Sequence, residues 1–326
     1  MRMGKVFSVV AFLLAATFML GACAPVTAPL GLANGTPALD GDTFLTRDGL
    51  RLPLRHWDAE HPRAVIVALH GMSDYSNAFD MPAEWWAGQG ITTYAYDQRG
   101  FGKAPHIGIW PGGKVLREDL ADCIEAVHER NPGVPVFALG ESMGGAVVLS
   151  ALADPRPPRV DGVILVAPAV WSREDMPIPY RAMLWLTAHT MPGLKLSGRG
   201  LKIWPSDNIE MLRKLSRDPL FQKKTRADAV WGLVDLMDAA RKAPEHLGAT
   251  PPILYLYGAK DQIIPRTPTD SVAKELGSRA EVRDYPNGYH MLLRDLDGPS
   301  IWKDVVDWMR RTTSQTQPSI APKLKS

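Results

Sequence analysis

The sequence predicts an α/β protein with a mostly parallel, doubly wound sheet, and three observations predict it. Six short apolar runs, at residues 64–69, 92–96, 136–139, 163–167, 253–257 and 282–285, are near-continuous, as strands covered on both faces are. Helical patterns fall among and after them, at 79–89, 115–130, 143–153, 269–276 and 300–311. The two kinds of segment alternate, which is the linear form of strand–helix–strand crossovers.

Ahead of the first run, Phe44-Leu45 and Leu50 to Trp57 flank Arg47-Asp48-Gly49 and read as a β-hairpin. Between Ala167 and Pro251 lie 83 residues with no convincing strand. That is too long for a plain connection, so residues 168–250 are expected to form a helical cap insertion, clearest as helix at 210–215 and 226–242. The insertion carries Trp171, Trp185, Trp204 and Trp231 with Met176, Met183, Met191, Met211 and Met237. Such residues suit a flexible apolar pocket or a membrane-facing lid, or they simply pack the cap onto the body. The domain is expected over 43–312, followed by a disordered tail at 313–326 rich in Thr, Ser, Gln and Pro.

Hydrophobic residues at 45% and charged residues at 22% fit a globular chain with a sizeable core. The net charge of +2 is supplied by Arg2 and Lys5; without residues 1–22, 35 basic residues face 35 acidic ones. No basic face is implied, which argues against nucleic acid as a partner. Residues 1–22 have the layout of a signal peptide: a basic start, an apolar run from Val6 to Leu20, then Gly21-Ala22. Leu20-Gly21-Ala22-Cys23 resembles a bacterial lipoprotein signal, in which the cysteine is lipidated and becomes the new N-terminus. The expectation is an exported protein, anchored in the cell-envelope membrane through Cys23, with 23–42 as a linker of Pro, Thr, Ala, Gly and Asn. An uncleaved membrane anchor is the alternative. Cys123, in an expected helix, reads as a small buried hydrophobe.

Gly140-Glu141-Ser142-Met143-Gly144 follows an expected strand and opens an expected helix. A serine on that sharp turn is exposed as a nucleophile, and Gly140 and Gly144 let strand and helix pack closely. The serine needs a base, and the base needs an orienting carboxylate. Asp261 follows the 253–257 run and His290 follows the 282–285 run, so both join Ser142 at the carboxyl edge of the sheet. The oxyanion hole is expected from the backbone N–H groups of Met143 and of Met72, in His70-Gly71-Met72. His70 is read as a buttress of that loop rather than a base. No cofactor fingerprint or metal cluster is visible in the sequence.

Together, His70-Gly71-Met72, Tyr96-Asp97-Gln98-Arg99-Gly100-Phe101-Gly102, Gly-Glu-Ser142-Met-Gly-Gly, Gly258-Ala-Lys-Asp261 and Gly288-Tyr-His290 resemble the monoglyceride lipase and bacterial lysophospholipase family, often labelled serine aminopeptidase-like. The resemblance spans roughly residues 44–312. It implies the α/β-hydrolase fold, Ser142, Asp261 and His290 as a catalytic triad, Met72 and Met143 as oxyanion donors, and a cap over an acyl pocket. It also implies that Asp97, Arg99 and Gly100 stabilise their loop. Where the family's lipases often carry Gly-Glu-His after the His-Gly pair, this chain has Ser73-Asp74-Tyr75. The implied substrate is a lipid-like ester, monoacylglycerol or lysophospholipid. The alternatives are a small-molecule carboxylesterase, an aminopeptidase with Glu141 and Asp74 as candidate holders of the substrate amine, and a non-catalytic envelope binding protein.

Overall fold

A computed structural model of the chain describes residues 24–198, 200–248 and 251–316. Residues 1–22 and Cys23, read above as signal peptide and lipid attachment site, lie outside it. Nine strands form one sheet in the order β1-β2-β3-β5-β4-β6-β7-β10-β11. These are β1 (Ala38–Asp40), β2 (Thr43–Leu45), β3 (Arg51–Trp57), β4 (Ala64–Leu69), β5 (Ile91–Tyr96), β6 (Val136–Glu141), β7 (Gly162–Val166), β10 (Ile253–Gly258) and β11 (Ala280–Tyr285). The first three run antiparallel, including the expected hairpin, and the other six are parallel to one another.

The apolar runs are continuous because both faces of the central strands are covered, and the pleat divides each run between two cores. Val65, Val67 and Leu69 of β4 join one hydrophobic cluster, with residues of α2 (Gly113–Arg130), α3 (Met143–Leu152) and α7 (Arg266–Leu276). Ala64, Ile66 and Ala68 join the other, with residues of α1 (Asp80–Ala87) and α8 (Gly298–Thr316). Helix α3 is buried on every side, as its apolar composition all round requires. Cys123 on α2 is fully buried, and burial pushes its thiol up.

Between β7 and β10 lie α4 (Ile178–Thr190), the two-residue strands β8 (Lys195–Leu196) and β9 (Thr225–Arg226), which pair with each other, α5 (Ile209–Arg217) and α6 (Ala227–His246). The whole of 168–250 was expected as cap, yet α6 belongs to the helical layer of the body. Its Val234, Leu236, Met237 and Ala240 are buried in the same cluster as α2 and α3. Helix α4 packs on α6 where His189, itself stacked on Trp185 of α4 at 4.9 Å, meets Trp231 edge-on at 4.9 Å.

Two boundaries also differ. The expected linker is laid along the body from Val26 onward: the Val26 N–H donates to Asp228 at 3.3 Å, Ala28 donates to the Trp110 carbonyl at 2.9 Å, and residues 38–40 form β1. The expected tail is helical as far as Thr316, with the Thr313 and Ser314 hydroxyls bonded back onto the carbonyls of Met309 and Arg310 at 3.1 and 2.8 Å, and 317–326 lie outside the described residues.

The loop after β5 is fixed by one guanidinium. Arg99 forks onto Asp48 of the hairpin turn, with both bonds 2.7 Å, and onto Asp119 of α2 at 2.7 and 2.8 Å. All three side chains are buried. The Arg99 bonds hold the Asp48 carboxyl well below the usual carboxylate range, whereas burial raises that of Asp119. Replacing Arg99 with Met would strand two carboxylates out of water, so stability should fall by about 3–5 kcal/mol in denaturant titration. A loss below about 1 kcal/mol would show the cluster to be solvated rather than structural.

Candidate active site

Ser142 sits between β6 and α3 with φ 54° and ψ −115°, a left-handed conformation that a residue with a side chain adopts only under constraint. A strained residue of this kind costs on the order of 1–3 kcal/mol and must be over-determined by its surroundings. Here the Ser142 N–H donates to the Val166 carbonyl at 2.9 Å, and its carbonyl accepts from Ala146 at 3.1 Å and Ala169 at 2.9 Å. The turn fits because Gly140 and Gly144 are bare. A Cβ on Gly140 would overlap the Gly144 carbonyl, and one on Gly144 would overlap the Leu69 carbonyl. Ser142 is left half-buried at the carboxyl end of β6.

The Met143 N–H opens α3, where first-turn donors have no acceptor within the helix and the helix dipole is positive. The loop after β4 runs alongside: a Cβ on Gly71 would stand only 3.2 Å from Ser142 Cβ. That places His70-Gly71-Met72 beside the serine, with Met72 partly buried against the core. His70 is fully buried and occupied at both nitrogens. Its Nδ1 donates to the Gly71 carbonyl at 2.9 Å, and its Nε2 accepts from the Gln98 N–H at 3.0 Å. Burial pushes its pKa down, which keeps the ring neutral as those two bonds require. It buttresses the loop. Asp97 does the same for the neighbouring turn, accepting from the Ser76 N–H at 3.0 Å and the Lys103 N–H at 2.8 Å.

Asp261 and His290 are brought together at the ends of β10 and β11, with His290 Nδ1 2.8 Å from Asp261 Oδ2. The other carboxylate oxygen accepts from the backbone N–H groups of Ile263 at 2.7 Å and Ile264 at 3.1 Å, so the carboxylate cannot rotate freely. Gly258 permits this approach, since a Cβ there would collide with the Gly288 carbonyl. The remaining histidine nitrogen, Nε2, is the one left for a reacting hydroxyl.

The segments around the insertion hold these loops. The Met291 N–H donates to the Pro205 carbonyl at 2.8 Å, and Asp295 accepts from Ser206 Oγ at 2.6 Å and the Tyr289 N–H at 2.7 Å. On the other side, the Gln222 N–H donates to the Ser73 carbonyl at 2.8 Å. The contacts with Pro205, Ser206 and Gln222 were not legible in the sequence, because those partners are remote along the chain. Glu141 and Asp74, read as candidate holders of a substrate amine, are buried and both face Arg294, at 3.1 and 2.8 Å. They are not open to a substrate.

Such a strand–serine–helix turn, beside a hydrogen-bonded carboxylate–histidine pair on one sheet edge, defines an α/β-hydrolase, and the chain is a carboxylic-ester hydrolase. It belongs to the Hydrolase_4 family, described as serine aminopeptidase, S33, whose model matches residues 60–297. It is 26% identical to a monoacylglycerol lipase of Mycolicibacterium smegmatis, over 82% of this chain and 95% of that protein. It is 25% identical to the phospholipase YtpA of Bacillus subtilis, over 76% of this chain and 95% of that protein. Among solved structures, the monoacylglycerol lipase of Paleococcus ferrophilus is similar at a TM-score of 0.65 and 26% identity, covering 80% of this chain and 99% of its own.

Ser142→Ala should abolish ester hydrolysis while leaving unfolding free energy within about 1–2 kcal/mol, since the half-exposed hydroxyl packs little. A large loss of stability in the same variant would make the serine a structural residue.

Proposed function

We propose that this chain cleaves esters carrying one long acyl chain, a monoacylglycerol or a lysophospholipid, through an acyl-enzyme on Ser142. The observation that carries the reading is the Asp261–His290 pair at the sheet edge that also presents Ser142. In this reading His290 Nε2 takes the Ser142 proton as Oγ attacks the ester carbonyl, and Asp261 holds the ring with Nδ1–H turned inward. The tetrahedral oxyanion is bound by the N–H groups of Met72 and Met143. The alcohol leaves with the proton from His290. Water, activated by the same imidazole, then releases the fatty acid and restores Ser142.

Three further observations favour an ester of lipid character. Glu141 and Asp74 are spent on Arg294, which removes the groups an aminopeptidase would need for its substrate amine. Among the tryptophans of the insertion, Trp171 and Trp231 are partly covered, whereas Trp185 and Trp204 are exposed at 53% each, as are Ile178 at 75% and Met183 at 63%. Residues 176–206 contain no Asp or Glu but do contain Arg181, Lys195, Arg199 and Lys202. An exposed apolar stretch whose described charged residues, Arg181, Lys195 and Lys202, are all basic suits contact with an anionic lipid interface. The similar lipases and the phospholipase point the same way. We place the protein in the cell envelope, held to the membrane through a lipid on Cys23 after removal of residues 1–22.

With p-nitrophenyl esters, decanoyl should be cleaved faster than acetyl, and amino-acid anilides should be left intact; preference for acetyl would sink the lipid reading. Cys23→Ser should move the protein from the membrane fraction to the soluble one. Continued attachment would point to an uncleaved anchor instead.

A further inference from the structure

One buried guanidinium touches all three segments that carry the proposed chemistry. Arg294 lies four residues beyond His290, in the same loop. Its Nη1 is 2.8 Å from Asp74 Oδ2, two residues beyond Met72, and its Nη2 is 3.1 Å from Glu141 Oε1, the residue before Ser142. Asp74, Glu141 and Arg294 are each at most 5% exposed. The backbone of Arg294 is itself anchored: its N–H donates to the Met291 carbonyl at 2.8 Å, and its carbonyl accepts from Asn208 Nδ2 at 3.0 Å.

Stability alone does not account for this group. Two carboxylates share one guanidinium, only the Glu141 contact is a hydrogen bond, and Asp74 Oδ2, Glu141 Oε2 and Arg294 Nε have no hydrogen-bond partner among the described residues. A buried ionic cluster with incomplete hydrogen bonding is commonly no more stable than apolar or neutral side chains of similar volume. What the guanidinium does supply is geometry, because it holds one buried carboxylate from each of two loops at contact distance. Here those carboxylates report the positions of the oxyanion loop and the nucleophile turn relative to the histidine loop.

We propose that Arg294 is a positioning residue, which with Asp74 and Glu141 sets the spacing between the Met72 N–H, Ser142 Oγ and His290. The proposal rests on the serine-hydrolase reading given above. Displacement of any one loop by about 1 Å is enough to cost about 10²-fold in turnover when reacting groups must meet in line. Because the cluster acts through the reacting groups, the loss falls on kcat.

The deciding variant combines Asp74→Asn, Glu141→Gln and Arg294→Met, which leaves no unpaired buried charge. Its melting temperature should stay within about 4 °C of the wild type. Its kcat for p-nitrophenyl decanoate should fall about 10²-fold with KM changed by less than about threefold. The rate of Ser142 labelling by a fluorophosphonate should fall in step. A folded triple variant with kcat within about threefold of wild type would overturn the proposal and make the cluster purely structural. Should the triple variant not fold, Arg294→Lys keeps the charge and loses the fork. That variant should lose at least about tenfold in kcat, and unchanged turnover there would equally overturn the proposal. Failure of the wild type itself to label with fluorophosphonate would instead remove the serine-hydrolase reading.

Discussion

The left-handed turn at Ser142 is the constraint around which the rest of the molecule is arranged. It can exist only because the chain enters it from a strand locked on both sides and leaves it into a helix buried all round. Strand β6 is held between β4 and β7, and α3 lies against the sheet with no exposed residue. The Val166 carbonyl and the Ala146 and Ala169 N–H groups then grip the turn itself. A strained residue fixed by so many neighbours reaches its partners without further ordering, which is the form of preorganisation that lowers the barrier to an oriented reaction.

Two buried arginines solve similar problems at different places in the fold. Arg99 ties a hairpin turn, a loop and a helix that are far apart in sequence, and its fork satisfies both carboxylates fully. Arg294 also meets two carboxylates, but one contact with each leaves polar atoms without partners. The first arrangement is what a structural cluster looks like when each buried polar atom has a partner. The second gives up part of its hydrogen bonding, and it lies where the sheet edge carries the chemistry.

Most of the sheet could be read from the chain because burial on two faces writes a local signature. The run at 64–69 needed no knowledge of its neighbours to be read as a strand, and the serine turn was framed by the strand and helix on either side. What could not be read depends on contacts remote in sequence, or on apolar residues that are not buried. Glu141 and Asp74 looked like open carboxylates because their partner stands at Arg294, 153 residues from Glu141. Helix α4 escaped notice because its apolar side chains point in many directions, several of them to solvent, so no amphipathic stripe marks it. The end of α8 passes through Thr312-Thr313-Ser314, a run with tail-like composition in which Thr313 and Ser314 bond back to carbonyls one turn earlier while the helix continues. Helix α6 was recognised as a helix, but only packing could show that it belongs to the body.

The course of residues 26–40 along the body also changes what a lipid on Cys23 would mean mechanically. A segment of linker composition suggests a long tether that lets an enzyme roam above a bilayer. Here the first hold on the body comes at Val26 and Thr27, through Asp228 and Trp110. From Cys23 to Val26 the chain can span at most roughly 11 Å. An enzyme lipidated there would have little room to tumble. Its orientation toward the membrane would be set by where on its surface the chain lets go, and the acyl chains of its substrates would be met from a fixed side.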